Sequence, residues 1–192
     1  MKQIDSLVSM CIQKEYVASE DEQWLRYAIE KRIASLCAFV PLVIVGLLIA
    51  DSATVLSFFI TFWLLRTRTN GFHAKSISRC IIYSILGEVF FLKVLPMVWN
   101  RIIAFVSLVV SLILIWLFAP YNHRNIDLSS KEIDACAKSA KWRLSVLIFA
   151  LSILHLCKQD QFVEGILLGI VMTASTLVMA YCSQKTISSK SV

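Results

Sequence analysis

The chain has 192 residues, 58% of them hydrophobic and only 17% charged, with mean hydropathy +0.72 and a formal net charge of +6. A soluble core of this size has no need of so much apolar side chain, and long uninterrupted apolar runs identify a membrane protein of about one domain. The basic residues are scattered over polar segments between those runs, which argues against a nucleic-acid-binding stripe and for topology signals.

Residues 1–15 carry Lys2, Asp5, Lys14 and Glu15 without an apolar core near the start, so no cleavable signal peptide is expected. Ile4, Leu7, Val8, Cys11 and Ile12 follow the i, i+3, i+4, i+7, i+8 spacing of an amphipathic helix. Such a helix lies on the membrane or docks on the body of the chain. Ser19 with Glu22 has capping-box spacing and predicts a second helix, running through Trp24, Tyr27 and Ile29.

From Ile33 to Leu65 the only charge is Asp51. One straight helix of that length would reach about 50 Å against a hydrocarbon core of about 30 Å. A hairpin is therefore predicted, with spans over 33–50 and 53–66 and Asp51-Ser52 at the turn. A polar, basic stretch follows, Arg66 to Cys80, reading R-T-R-T-N-G-F-H-A-K-S-I-S-R-C. Ile81–Trp99 is a third span containing Glu88 and Lys93, which are expensive in lipid. A buried ion pair is one reading of these two, and a place on a substrate path is the other. Ile102–Ala119 is the fourth span, ended by Pro120. Ser129 and Glu132 repeat the capping-box spacing ahead of a helix with Ile133, Cys136, Ala137, Ala140 and Leu144 on one face. That helix leads into a fifth span, Leu144–Cys157, and Phe162–Cys182 is the sixth.

The expected fold is all-α and polytopic, about six transmembrane helices plus an N-terminal amphipathic helix. It forms a single membrane-embedded domain, 1–192, with 1–32 its cytoplasmic N-terminal region. Residues 1–32, 66–79, 120–143 and 183–192 hold sixteen Lys and Arg, against only Arg101 and Lys158 on the opposite side. The positive-inside rule then puts both termini and the Arg66–Cys80 stretch in the cytoplasm. The count falls to four crossings if either of the hairpins with a short leg is re-entrant.

Chemistry is concentrated in that stretch. A cysteine attacks a carbonyl as its thiolate, so it needs a base or a positive environment. His73 offers a base, and Arg66, Arg68, Lys75 and Arg79 offer charge. Ser76 or Ser78 as N-cap would place Cys80 in or just beyond the first turn of the next helix. On one regular helix residues 73 and 80 would stand about 10.5 Å apart along the axis, so pairing needs the chain to fold back between them, and Asn70-Gly71, ahead of His73, is a turn signal that would re-aim it. His123 and His155 read as solvated or packing residues. The cysteines at 11, 37, 136, 157 and 182 read as structural. No C-x-x-C, P-loop or H-E-x-x-H occurs, so no metal, nucleotide or other cofactor is expected.

Arg66, Gly71, His73, Ala74 and Cys80 form the string R-x-x-x-x-G-x-H-A with Cys seven residues after the His. This string resembles the accessory gene regulator B (AgrB) family, bacterial membrane cysteine endopeptidases of peptide quorum sensing. The likeness extends to chain length, to six apolar segments with the motif between the second and third, and to a basic loop after the fourth, opening A-P-Y-N-H-R-N. It departs where many members have Gly-Gly before the aromatic residue and this chain has Asn70-Gly71. The resemblance implies Cys80 as nucleophile, His73 as general base, and Arg66 and Gly71 as supporting or substrate-orienting residues. It also implies an AgrD-like precursor peptide as partner, a homodimer, and the bacterial cell membrane as location. In that reaction the peptide's acidic tail is cut off and the upstream part is held as a thioester on the cysteine. An internal Cys or Ser then closes a thiolactone or lactone. A reading from another class stays beside it: a small non-enzymatic transporter or export partner for a peptide, with Glu88 and Lys93 lining a path.

Overall fold

The computed structural model describes residues 2–14, 16, 22–70, 77–122 and 129–188. Among these residues there are eight α-helices and no strand. The chain divides into two compact units, Met1–Ile44 and Val45–Val192.

In the first unit α1 runs Lys2–Gln13 and α2 begins at Glu22. Ser19, the predicted cap of α2, lies outside the described residues. Asp5 of α1 accepts from the Arg26 guanidinium of α2, whose other terminal nitrogen stands 3.6 Å from Glu22 one turn earlier. α2 is continuous from Glu22 to Ile49, with Pro41 inside it.

The second unit opens with the end of α2 and turns at Ala50-Asp51, where the hairpin was expected. α3 spans Ser52–Thr69, with Asp51 in extended conformation before it. At 18 residues α3 is about 27 Å long. It carries Thr54, Ser57 and Thr61 on a buried face, which lowers its hydropathy although these groups never meet lipid.

α4 runs Ile77–Val89 and passes through a π-helical turn, Phe90–Val94, into the short α5, Leu95–Val98. The wide turn immediately precedes Pro96, whose ring clashes with the carbonyl four residues back in a regular α-helix. The Leu95 N–H reaches back five residues to Phe90 O, the π pattern. α6 spans Arg101–Phe118 and starts at Asn100, whose side-chain oxygen accepts from the Ile102 and Ile103 N–H groups at 3.0 and 2.9 Å. α7 runs Ser130–Leu156 behind the predicted capping box, in which Ser129 and Glu132 each satisfy the other's backbone N–H. The amphipathic segment and the fifth apolar segment are thus one unbroken 27-residue helix. α8 spans Asp160–Ser188.

Four of these helices are long and apolar enough to cross a bilayer: Cys80–Val98, Arg101–Phe118, Ser130–Leu156 and Asp160–Ser183, with the shorter apolar stretch Phe39–Ile49 beside them.

α3 packs most extensively on α8. The close approach is made by Gly165 and Gly169, one turn apart. A Cβ at Gly165 would collide with Ser57 Oγ and Thr54 O, and one at Gly169 would stand 2.8 Å from Thr61 Cβ and 2.9 Å from Phe58 O. Small residues let helix backbones touch where lipid supplies no hydrophobic drive for association. Below this contact a cluster of Leu65, Ile115, Leu144, Leu147, Ile166, Ile170 and Ala174 joins α3, α6, α7 and α8.

Candidate functional site

The polar stretch is bounded by two helix ends. α3 extends through Arg66 and Arg68 to Thr69 and stops at Asn70, whose φ of 55° lies in the left-handed region that ends helices. α4 begins at Ile77, so Cys80 is the fourth helical residue, at the end of the first turn. Ser78 is inside the helix and is therefore not its cap. Ser76 occupies the position before the first helical residue but lies outside the described residues, as do Gly71, His73, Ala74 and Lys75.

Two of the four sequence-predicted site residues, Arg66 and Cys80, are described. Arg66, in the last turn of α3, is half-buried. It also donates to Asn70 O, on the residue that ends α3. Cys80 is half-buried and is a free thiol.

The end of α3 is held from two further directions that sequence reasoning missed. The Tyr121 N–H, in the segment after α6, donates to Thr69 O at 2.9 Å. Its ring is buried against Tyr181 of α8, at 4.8 Å between centroids. Arg143 of α7 donates to Leu64 O at 2.6 Å and to Thr67 Oγ1 at 2.7 Å. In the sequence Arg143 counts only as one of sixteen topology charges, and nothing in its spacing marks it as a tether.

The expected Glu88–Lys93 ion pair is not made. Glu88 is 1% exposed, with Oε1 packed against Gly46 and neither carboxylate oxygen in a good hydrogen bond. Lys93 is exposed and lines a cavity of about 330 Å³ with Asp51, Thr54 and Glu164, at the opposite end of α3 from Arg66. Five residues apart on a regular helix, the two side chains already point about 140° away from each other. His155 is exposed at the end of α7, and His123 lies outside the described residues. Among the described residues no cluster of His, Cys, Asp and Glu is suited to a metal, and Cys11, Cys136 and Cys157 are free thiols.

Taken together, the helices and the boundary site define a multi-helix membrane protein carrying a thiol and a guanidinium on two helix ends. The model of the family Accessory gene regulator B matches residues 4–177, and the chain belongs to that family. Membership connects the chain to the processing of agr quorum-sensing peptides and to the family's AgrD precursor in the membrane. No curated protein and no solved structure gives a significant match.

Proposed function

We propose that the chain is a membrane cysteine endopeptidase that matures an AgrD-like precursor peptide, with Cys80 as nucleophile and His73 as general base. The observation that carries this reading is the family match over residues 4–177, with Arg66 and Cys80 of the motif on the two helix ends that border the His73 segment. His73 takes the thiol proton as Sγ bonds to the scissile carbonyl carbon. The Arg66 guanidinium faces the resulting charge. The C–N bond then breaks as the same proton passes to the leaving amine, releasing the acidic tail and leaving a thioester on Cys80. An internal thiol or hydroxyl of the peptide attacks that thioester, closes the ring and regenerates Cys80. Gly71, next to the left-handed Asn70, gives the turn the freedom to aim His73 back at the cysteine.

The same reading places both termini and the site in the cytoplasm, where a newly made precursor meets them, and lays α1 along the bilayer surface. It counts α2 and α3 as crossings, because α3 buries Thr54, Ser57 and Thr61 and turns Leu56, Ile60 and Trp63 outward. Basic segments on that side complement an acidic peptide tail.

The test is precursor cleavage in reconstituted vesicles. Cys80→Ala is expected to lose at least about 10⁴-fold, the scale on which removing a covalent nucleophile acts. His73→Ala is expected to lose about 10²–10⁴-fold. Both should insert in the membrane normally, and a hydroxylamine-labile adduct of the precursor's N-terminal part should form on Cys80. Tail release by Cys80→Ala would end the proposal in favour of a non-enzymatic export partner.

A further inference from the structure

The reaction centre proposed above depends on how the last turn of α3 stands relative to the first turn of α4. That last turn is not left to its own helix. Thr67 Oγ1 donates to Leu64 O at 3.1 Å, and Arg143 Nη1 bridges both atoms at 2.6 and 2.7 Å. The three groups close a small ring between α3 and α7. A cation on the terminal carbonyls also opposes the negative end of the α3 dipole.

Arg143 does not reach the reacting atoms by this route. At about 100° per residue, Arg66 points roughly 200° around the helix from Leu64 and roughly 100° from Thr67. The tether therefore acts on the backbone that carries Arg66. Buried anchors further along α7 fix where the tether starts. Ala140 and Leu144 flank Arg143 at 1% exposure, and Leu144 belongs to the cluster that includes Leu65. A long cation at a membrane boundary usually extends into the headgroups. This one is half-buried and spends its donors on a neighbouring helix end.

We propose that Arg143 is a positioning residue: it holds the last turn of α3, and with it Arg66, in place relative to the first turn of α4, which carries Cys80. The inference rests on the reading of Cys80 and Arg66 as the reaction centre. Its consequence is a kinetic split. Losing the tether should lower kcat for precursor cleavage and leave KM nearly unchanged, because the peptide-binding surface is intact while the nucleophile's surroundings are not. A misplacement of about 1 Å at a reacting group costs up to about 10²-fold. Arg143→Met keeps the length of the side chain and removes both bonds, and should lose about 10- to 100-fold in kcat. Arg143→Lys keeps the charge and one bond, and should recover part of that loss. Thr67→Val should lose less than Arg143→Met, and combining the two should add nothing, since both break the same ring.

The experiment measures kcat and KM for a synthetic precursor in vesicles containing each full-length variant, with Cys80→Ala alongside. The rate at which Cys80 is alkylated by iodoacetamide, read by mass spectrometry, is followed in parallel. The supporting result is a lower kcat, an unchanged KM, slower alkylation of Cys80, partial rescue by Arg143→Lys and non-additivity with Thr67→Val. Wild-type kcat in Arg143→Met, while Cys80→Ala is inactive, overturns the positioning role and leaves the endopeptidase standing. A raised KM with unchanged kcat also overturns it, since Arg143 would then bind peptide directly. Cleavage by Cys80→Ala overturns the endopeptidase reading itself. Should Arg143→Met fail to accumulate in membranes, wild-type kcat in both Arg143→Lys and Thr67→Val overturns the inference.

Discussion

Replacing Gly165 by Ala is expected to separate α3 from α8 and destabilise the second unit. The added Cβ falls on Ser57 Oγ and Thr54 O and comes within 3.0 Å of Phe58 N. Ser57 can rotate, but the other two are backbone atoms of α3, so the helices themselves have to move by about 1 Å. A gap of that size forfeits a quarter to a half of the dispersion energy of the atoms it separates. Overpacking of this kind costs about 1–3 kcal/mol, and the better helix propensity of Ala returns about 0.8–1.0 kcal/mol. Because the obstruction is backbone, the upper part of that range applies, and a net loss of about 2 kcal/mol is expected. Gly169→Ala meets Thr61 Cβ and Phe58 O at 2.8 and 2.9 Å, a milder approach, and should cost about 1 kcal/mol. Unfolding by SDS titration from dodecyl maltoside micelles, followed by tryptophan fluorescence, measures both. A Gly165→Ala protein as stable as the wild type would refute the close-contact account of this helix pair. Adding Ser57→Gly to Gly165→Ala should restore only part of the loss, since the backbone contacts remain.

Glu88→Met fills a similar volume without an unpartnered buried carboxyl, whose retention costs about 1–3 kcal/mol; the variant should gain about that much in the same titration. A loss instead would reveal a partner for Glu88 in the folded protein. Arg66→Met should lower precursor cleavage by about 10²–10³-fold, and Arg66→Lys by less, as removing one charge-facing donor does. Equal activity of Arg66→Met and wild type in the vesicle assay would remove Arg66 from the reaction. Asn100→Ala leaves the Ile102 and Ile103 N–H groups without their acceptor and should cost about 1 kcal/mol, with faster amide exchange confined to the start of α6.

Much of the fold could be read along the chain because local chemistry decides where helices start and stop. The Ser129–Glu132 box, the break at Asp51 and the stop before Pro120 all fall where local rules put them. The π turn before Pro96 was legible from the proline yet went unread. So was the Gly165-x-x-x-Gly169 spacing, which names the face of α8 that meets another helix without saying which helix. Of the site, the motif named the residues, and α4 begins at Ile77, between positions 73 and 80. Gly71 and His73 lie outside the described residues, and their geometry stays with the proposal.

By itself the sequence determined the apolar segments, the charge asymmetry between their flanks, the caps, and the identity of the thiol and its basic surroundings. These are properties of single residues and near neighbours, governed by transfer free energies and backbone hydrogen bonding. The tertiary structure decided which side chains meet. The Tyr121 N–H meets the Thr69 carbonyl at the end of α3, and Arg143 reaches α3 from a residue 79 positions away from Leu64. Glu88 and Lys93, five apart on one chain segment, face different surroundings. Such pairings depend on crossing angles and the closeness that two glycines permit, neither of which is encoded at the position where its effect is felt.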